Sequence, residues 1–138
     1  MRALAALVAA IALAGCNSDP KDEPDREKAI RDWSRALNGE RYRLAASFFA
    51  DDAIVDQGRE FVLEDRSEAI FFNRSLPCKA DVTDVDDEGE TVLAAFRLRR
   101  GPGGGCTGSA RVRFRFKGGK FSEWRQLPEP DTPPGGVI

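Results

Sequence analysis

Apolar and polar positions follow two rhythms along this chain, and the rhythm changes near its middle. From Asp25 to Asn38 the apolar residues Ala29, Ile30, Trp33, Ala36 and Leu37 recur at steps of one, three, three and one. That spacing gathers them on one face of a helix, and Asn38-Gly39 stops it. A second helix is predicted over Arg41 to Ala50, burying Leu44, Ala45, Phe48 and Phe49 and ended by Asp51-Asp52. Ala53 to Gln57 and Glu60 to Glu64 read as two short strands around Gly58. Arg66 to Arg74 reads as a third helix, with Ala69, Ile70, Phe72 and Asn73 on or near one face, broken by Leu76-Pro77. After Cys78 the period becomes two. Lys79 to Asp86 is a strand, and Asp87-Glu88-Gly89 a turn. In Thr91 to Arg99, Val92, Ala94, Phe96 and Leu98 point one way and their neighbours the other. Ser109 to Lys117 is the clearest alternation: Ala110, Val112, Phe114 and Phe116 face inward, while Arg111, Arg113, Arg115 and Lys117 face out. Gly118-Gly119 makes a two-residue hairpin turn into a last strand, Lys120 to Leu127. Helices first and strands later predict an α+β domain, three N-terminal helices packed on the concave face of a curved antiparallel sheet.

Both ends lie outside this pattern. Met1-Arg2 is a short positive start, and Ala3 to Ala14 is an apolar run without charge or proline. As a helix it would rise only ~18 Å, against a bilayer core of ~30 Å, which fits a signal-peptide core and not a spanning anchor. It ends Leu13-Ala14-Gly15-Cys16, which looks like a lipobox, where the cysteine thiol is lipidated before cleavage. Residues 1–15 are therefore expected to be a lipoprotein signal peptide, with Cys16 the lipid-bearing first residue of the mature chain. Residues 16–25, polar and proline-containing, read as a flexible tether; 26–127 are the domain; 128–138, rich in proline and glycine, read as a loose tail. The expected location is the cell envelope, anchored on the extracytoplasmic side of a membrane. Asn17 is compatible with outer-membrane sorting where an outer membrane exists.

Charge and composition remove several function classes. The chain has 21 basic and 23 acidic residues, a net charge of −2. That argues against nucleic acid as a partner, since phosphate binding needs a basic surplus. With no histidine, the commonest general base and metal ligand are missing, so no metal or cofactor is expected. With Cys16 lipidated, Cys78 and Cys106 remain; in an oxidising compartment they read as one disulfide, with two separate buried thiols as the alternative. Both would lie at one end of the sheet, with the glycine loop Gly101 to Gly105 folding across. That loop lacks the lysine and following helix of a phosphate loop. Arg97, Arg99, Arg111, Arg113 and Arg115 form a stripe on the outer sheet face, read as cross-strand pairing with Asp81, Asp84, Glu123 and neighbouring acids in preference to a surface for an anionic partner. Asn73-Arg74-Ser75 matches a glycosylation sequon and is given no role.

Two stretches carry a family resemblance. One runs from Trp33-Ser34-Arg35-Ala36-Leu37-Asn38-Gly39-Glu40 into Phe48-Phe49-Ala50-Asp51-Asp52-Ala53-Ile54-Val55. The other is Val112-Arg113-Phe114-Arg115-Phe116-Lys117-Gly118-Gly119-Lys120-Phe121, ending Trp124-Arg125-Gln126. With the order of elements, they resemble the nuclear transport factor 2-like superfamily, in particular SnoaL-like domains. The resemblance covers about Glu27 to Leu127 and implies a cone in which three helices and a bent sheet enclose a pocket. The superfamily includes ketosteroid isomerases, dehydratases, polyketide cyclases and many non-enzymes, so the fold leaves the activity open. The isomerases' pocket tyrosine falls on Trp33, their general-base aspartate on Gln57 and their second pocket acid near Ser109. An indole, an amide and a hydroxyl cannot replace those acids and that base. Asp56, one residue from the base position, is turned to the opposite face by strand alternation unless a bulge intervenes.

The resemblance thus implies a pocket walled by Trp33, Phe49, Val55, Gln57, Phe72, Phe96, Ser109, Trp124 and Gln126. The alternative is that both tryptophans are simply core. No catalytic residue is assigned. The leading expectation is a membrane-tethered, non-catalytic domain that binds a small apolar or weakly polar molecule or serves as an accessory module. The competing one is an isomerase-, dehydratase- or cyclase-type enzyme on a small apolar substrate, and a third is a structural domain with a filled cone. Family members often dimerise through the outer sheet face, where five arginines would repel their copies, so a monomer or weak dimer is expected. An open cone of at least ~300 Å³ between Trp33, Gln57 and Trp124 is what binding there requires, and a packed one would remove both the binding and the enzyme readings.

Overall fold

A computed structural model describes residues 25–128. The expected signal peptide, the expected lipidation site Cys16, most of the expected tether and nearly all of the expected tail lie outside the described residues. Asp25 caps helix α1 (Arg26–Asn38) by accepting a hydrogen bond from the Lys28 N–H. The predicted apolar face goes inward: Ile30, Trp33, Ala36 and Leu37 are buried. The outer face carries the i,i+4 pairs Glu27–Arg31 and Lys28–Asp32. Asn38 fixes the helix end to the sheet, donating to the Ala80 carbonyl and accepting from the Ala80 N–H.

Helix α2 is shorter than its apolar pattern predicts, covering only Tyr42–Ala46. Phe48 and Phe49 leave the helix, and Phe49 opens strand β1 (Phe49–Asp56). Tertiary contacts override local propensity here. Phe48 stacks on Phe121, Phe49 meets the same ring edge-on at 5.2 Å, and the Phe121 N–H donates to the Phe48 carbonyl. Leu44, expected inside, is 43% exposed as a result. Asp51 and Asp52 do not end a helix. They sit where β1 slips register against its neighbour, with Asp52 at φ 57°.

The remaining elements fall close to their predicted places: β2 (Glu60–Leu63), α3 (Arg66–Ser75), β3 (Cys78–Asp87), β4 (Thr91–Arg100), β5 (Ser109–Lys117) and β6 (Lys120–Leu127). The Gly118-Gly119 turn has both φ angles positive, 56° and 76°, as a two-residue hairpin of this hand requires. The fold is α+β, with a curved, unclosed six-stranded sheet in the order β2-β1-β6-β5-β4-β3. One pairing corrects the all-antiparallel expectation: β1 runs parallel to β6. These two strands are joined through β2, α3 and three further strands, so no hairpin dictates their relative direction.

Cys78 and Cys106 form the expected disulfide, with Cα atoms 5.7 Å apart across 28 positions of sequence. The glycine loop folds over Pro77 to let it close. A Cβ on Gly101 would stand 2.5 Å from the Pro77 carbonyl oxygen, and one on Gly103 2.4 Å from the Pro77 ring.

Arg97, Arg99, Arg113 and Arg115 of the outer sheet face are matched by acids, as the cross-strand reading expected, while Arg111 donates to the Pro128 carbonyl. Asp81 takes Arg97 and Arg99, Glu88 takes Arg113, and Glu123 takes Arg115 and Arg125. Hydrogen bonding from Arg99 holds the Asp81 carboxyl below its ordinary value, and Arg125 does the same for Glu123. The face is therefore mixed in charge and not a basic stripe.

Candidate functional site

Cross-strand pairing builds one row across the concave face: Phe61, Val55, Trp124, Phe114 and Val92, on five successive strands. Exposure falls along this row from 51% at Phe61 to 2% at Val55 and none at Trp124 or Phe114. Helix α1 covers the buried end, lying over β3 and β4, while α3 packs on α2 and β2 and sends Phe72 to the rings of Phe49 and Trp124.

The covered end is full. Trp33 is completely buried, with the rings of Phe49, Phe96, Phe114, Phe121 and Trp124 edge-on to it at 5.9–6.4 Å. Its indole N–H donates to Asn73 Oδ1 at 2.8 Å, and the Asn73 amide donates in turn to the Ala69 carbonyl. The cone that the resemblance implied is thus shut between Trp33 and Trp124, because six large rings occupy the volume. Trp33, Phe49, Phe96 and Trp124 are core. Ser109 lies exposed at the start of β5, paired with Arg97, and Gln126 is half-buried opposite Val112.

Only Val55, Gln57 and Phe72 of the expected set meet at an opening, and it lies at the other end of the row. A cleft of about 370 Å³ separates β2 from α3. Val55 and Leu63 form its floor. Phe61 and Val62 stand on one side and Phe71 and Phe72 on the other, with Gln57, Glu68 and Ser75 as the polar groups. Its rim is apolar yet exposed: Phe71 is 72% and Val62 48% accessible. The Arg59 guanidinium lies over the Phe61 ring at 5.0 Å.

The cleft's chemistry is sparse. Among the described residues Glu68 is its one ionisable side chain, and its carboxylate already accepts the Glu64 N–H, tying the strand end to the start of α3. Asp56 stays on the outer face, bonded to Arg125, as alternation predicts; the register slip in β1 lies before Ile54 and does not turn it inward. Among the described residues no group of three or more Cys, Asp or Glu could hold a metal ion.

Reading the chain missed Phe61, Val62, Leu63, Glu68, Phe71 and Asn73. The signal for the first three was an apolar run on a short strand with no predicted neighbour beyond it. Phe71 was visible as an aromatic off the buried face of α3, and Asn73 as an amide on that face.

A layered α+β domain with three helices inside an open curved sheet has the nuclear transport factor 2-like fold, and similar solved structures bear that out. A nuclear transport factor 2-like protein of unknown function from Cytophaga hutchinsonii superposes with a TM-score of 0.64 at 14% identity, over 80% of this chain and 95% of that one. A ketosteroid isomerase-like protein from Kribbella flavida gives 0.63 at 20% identity, over 80% and 83%. A polyketide cyclase-like protein from Sinorhizobium meliloti gives 0.59 at 14%, over 72% and 94%. No family model matches the sequence, and no curated protein does. The likeness is one of fold.

Proposed function

We propose that this chain is a lipid-tethered, extracytoplasmic binding domain that holds a small apolar or weakly polar molecule in the cleft between β2 and α3, without acting on it. The observation that carries the reading is the cleft itself, a volume of about 370 Å³ whose walls are mostly apolar and whose exposed aromatic rim is left open to solvent. The isomerase- and cyclase-like neighbours suggest the competing reading, an enzyme on a small apolar substrate. Against it stands a lining with a single carboxylate and no partner base, which offers no acid–base pair.

The test is binding of N-phenyl-1-naphthylamine, a neutral dye that brightens in apolar sites. The domain should bind it with saturable fluorescence, and Ser75→Trp, which fills the cleft from α3, should abolish the signal. Equal brightening by the blocked variant would sink the reading. Tethering has its own test: Cys16→Ser should release the protein from membranes, and a lipid-free variant that still sediments wholly with them would overturn the anchor.

A further inference from the structure

Trp33 and Trp124 are the chain's two tryptophans, and they differ in one respect. Both are fully buried, but Trp33 donates its indole N–H to Asn73, whereas Trp124 Nε1 is, among the described residues, the buried side-chain polar atom without a hydrogen-bond partner. Leaving such a donor unmade costs about 1–3 kcal/mol, so it calls for an explanation. Its position supplies one. Trp124 follows Phe61 and Val55, two lining residues of the cleft, in the cross-strand row; it does not line the cleft itself, and Phe72, a wall of the cleft, meets its ring edge-on at 5.2 Å.

We propose that the Trp124 indole N–H is the polar anchor of the cleft, donating to a neutral hydrogen-bond acceptor on the ligand. The ligand class is then an apolar ring system or chain carrying a carbonyl or similar oxygen. Its apolar body lies over Val55 between Phe61 and Phe71. Because the indole is fully buried, the ligand's oxygen reaches its N–H by displacing the Phe72 ring that lies against it. A purely hydrocarbon ligand would leave the donor unpaired, and an anionic one would place its charge beside the Glu68 carboxylate. The proposal rests on the cleft being a binding site, and its test separates the two ideas.

The experiment compares 2-acetylnaphthalene with 2-ethylnaphthalene, near-isosteres with and without the acceptor, against the ¹⁵N-labelled domain. Two indole N–H signals are expected, assigned by the loss of one in Trp124→Phe. The ketone should bind about tenfold more tightly than the hydrocarbon, the worth of one hydrogen bond near 1.4 kcal/mol. It should move the Trp124 indole proton downfield and slow its exchange with solvent, while the Trp33 signal holds still. Trp124→Phe should erase the preference between the probes; if that variant fails to fold, the wild-type spectra decide alone. Equal affinities would overturn the anchor and leave the cleft standing, as would a Trp124 signal that moves alike with both probes. Such a response would mean that the N–H points at the Phe72 ring face. Binding of neither probe would overturn both.

Discussion

The two ends of the concave face are built from the same kinds of residue and reach opposite outcomes. At the α1 end, Trp33 and five other rings close on each other until no side-chain atom is exposed at Trp33, Phe96, Phe114, Phe121 or Trp124. At the α3 end, Phe61, Phe71 and Val62 are each about half exposed or more around an open cleft. Hydrophobicity does not separate the two; the covering layer does. A helix of 13 residues crosses the sheet at one end and inserts its largest side chain. At the other, a helix of 10 residues leans on an edge strand of four, with no strand beyond it among the described residues to complete the wall. Burial of an aromatic is thus decided by whether a second layer reaches it, and an aromatic left unreached is available to a ligand.

If that contrast holds, the largest effect belongs to Trp33→Ala. It removes a buried indole from five edge-on partners and should cost about 3–5 kcal/mol, read as a shifted urea midpoint at unchanged slope. A loss under about 1.5 kcal/mol would mean that the α1 end is not packed as described. Next comes Cys78→Ser with Cys106→Ser, which frees a long loop of the unfolded chain and should cost about 3 kcal/mol. Reduction of the wild-type protein should reproduce the loss, and a stability insensitive to reductant would count against the bridge.

Asn73→Leu sharpens the boundary between the ends. The substitution strands the Trp33 N–H and should cost about 1–3 kcal/mol. Asn73 is the neighbour of Phe72, so dye binding in the cleft should weaken in the same variant. A stability loss with unaltered binding would show the two ends to be independent. Phe71→Ser lies further down the scale. The side chain is 72% exposed, so stability should stay within about 0.5 kcal/mol while dye affinity falls several-fold. The reverse result, lost stability with intact binding, would make Phe71 a packing residue.

The same contrast explains what the sequence disclosed. Strands β4 and β5 and helix α1 were legible because their periodicity is sustained and their apolar faces are wholly covered. The disulfide was legible from cysteine arithmetic. Phe48 and Phe49 were misread because an apolar pair after a helix looks the same whether it stays helical or starts a strand; Phe121, more than 70 positions away, decides it. The parallel β1–β6 pairing has no local signature. The cleft moved away from the expected cone because no reading of Trp33 alone says that five rings will surround it. Val55, Gln57 and Phe72 were found because they belong to both the expected wall and the real one. The edge position of β2, which leaves Phe61 and Val62 uncovered, is a property of strand order and not of any residue.

The smallest expected effect lies on the opposite side of the sheet and is one of pH. Asp81 and Glu123 are held below their ordinary carboxyl values by hydrogen bonds from Arg99 and Arg125, and Glu88 is lowered by Arg113. A carboxyl whose folded pKa lies below its unfolded value, about 3.9 for Asp and 4.3 for Glu, adds stability that is complete above those values and is lost as pH falls through the folded pKa. The chain has no histidine, and Cys78 and Cys106 are bonded to each other, so these described groups offer nothing to titrate between about pH 5 and 8. The melting temperature should therefore stay level from pH 8 to about 5 and decline below about 4. Exposure and salt keep the decline shallow, and 0.5 M salt should flatten it further. Asp81→Asn should lower the plateau slightly and reduce the acid decline. Trp33→Ala should displace the whole curve without changing its shape, and Phe71→Ser should leave it nearly in place, because neither residue touches these pairs. A decline beginning near pH 6 would point to a titrating group outside the outer face and break the division of labour between the two faces.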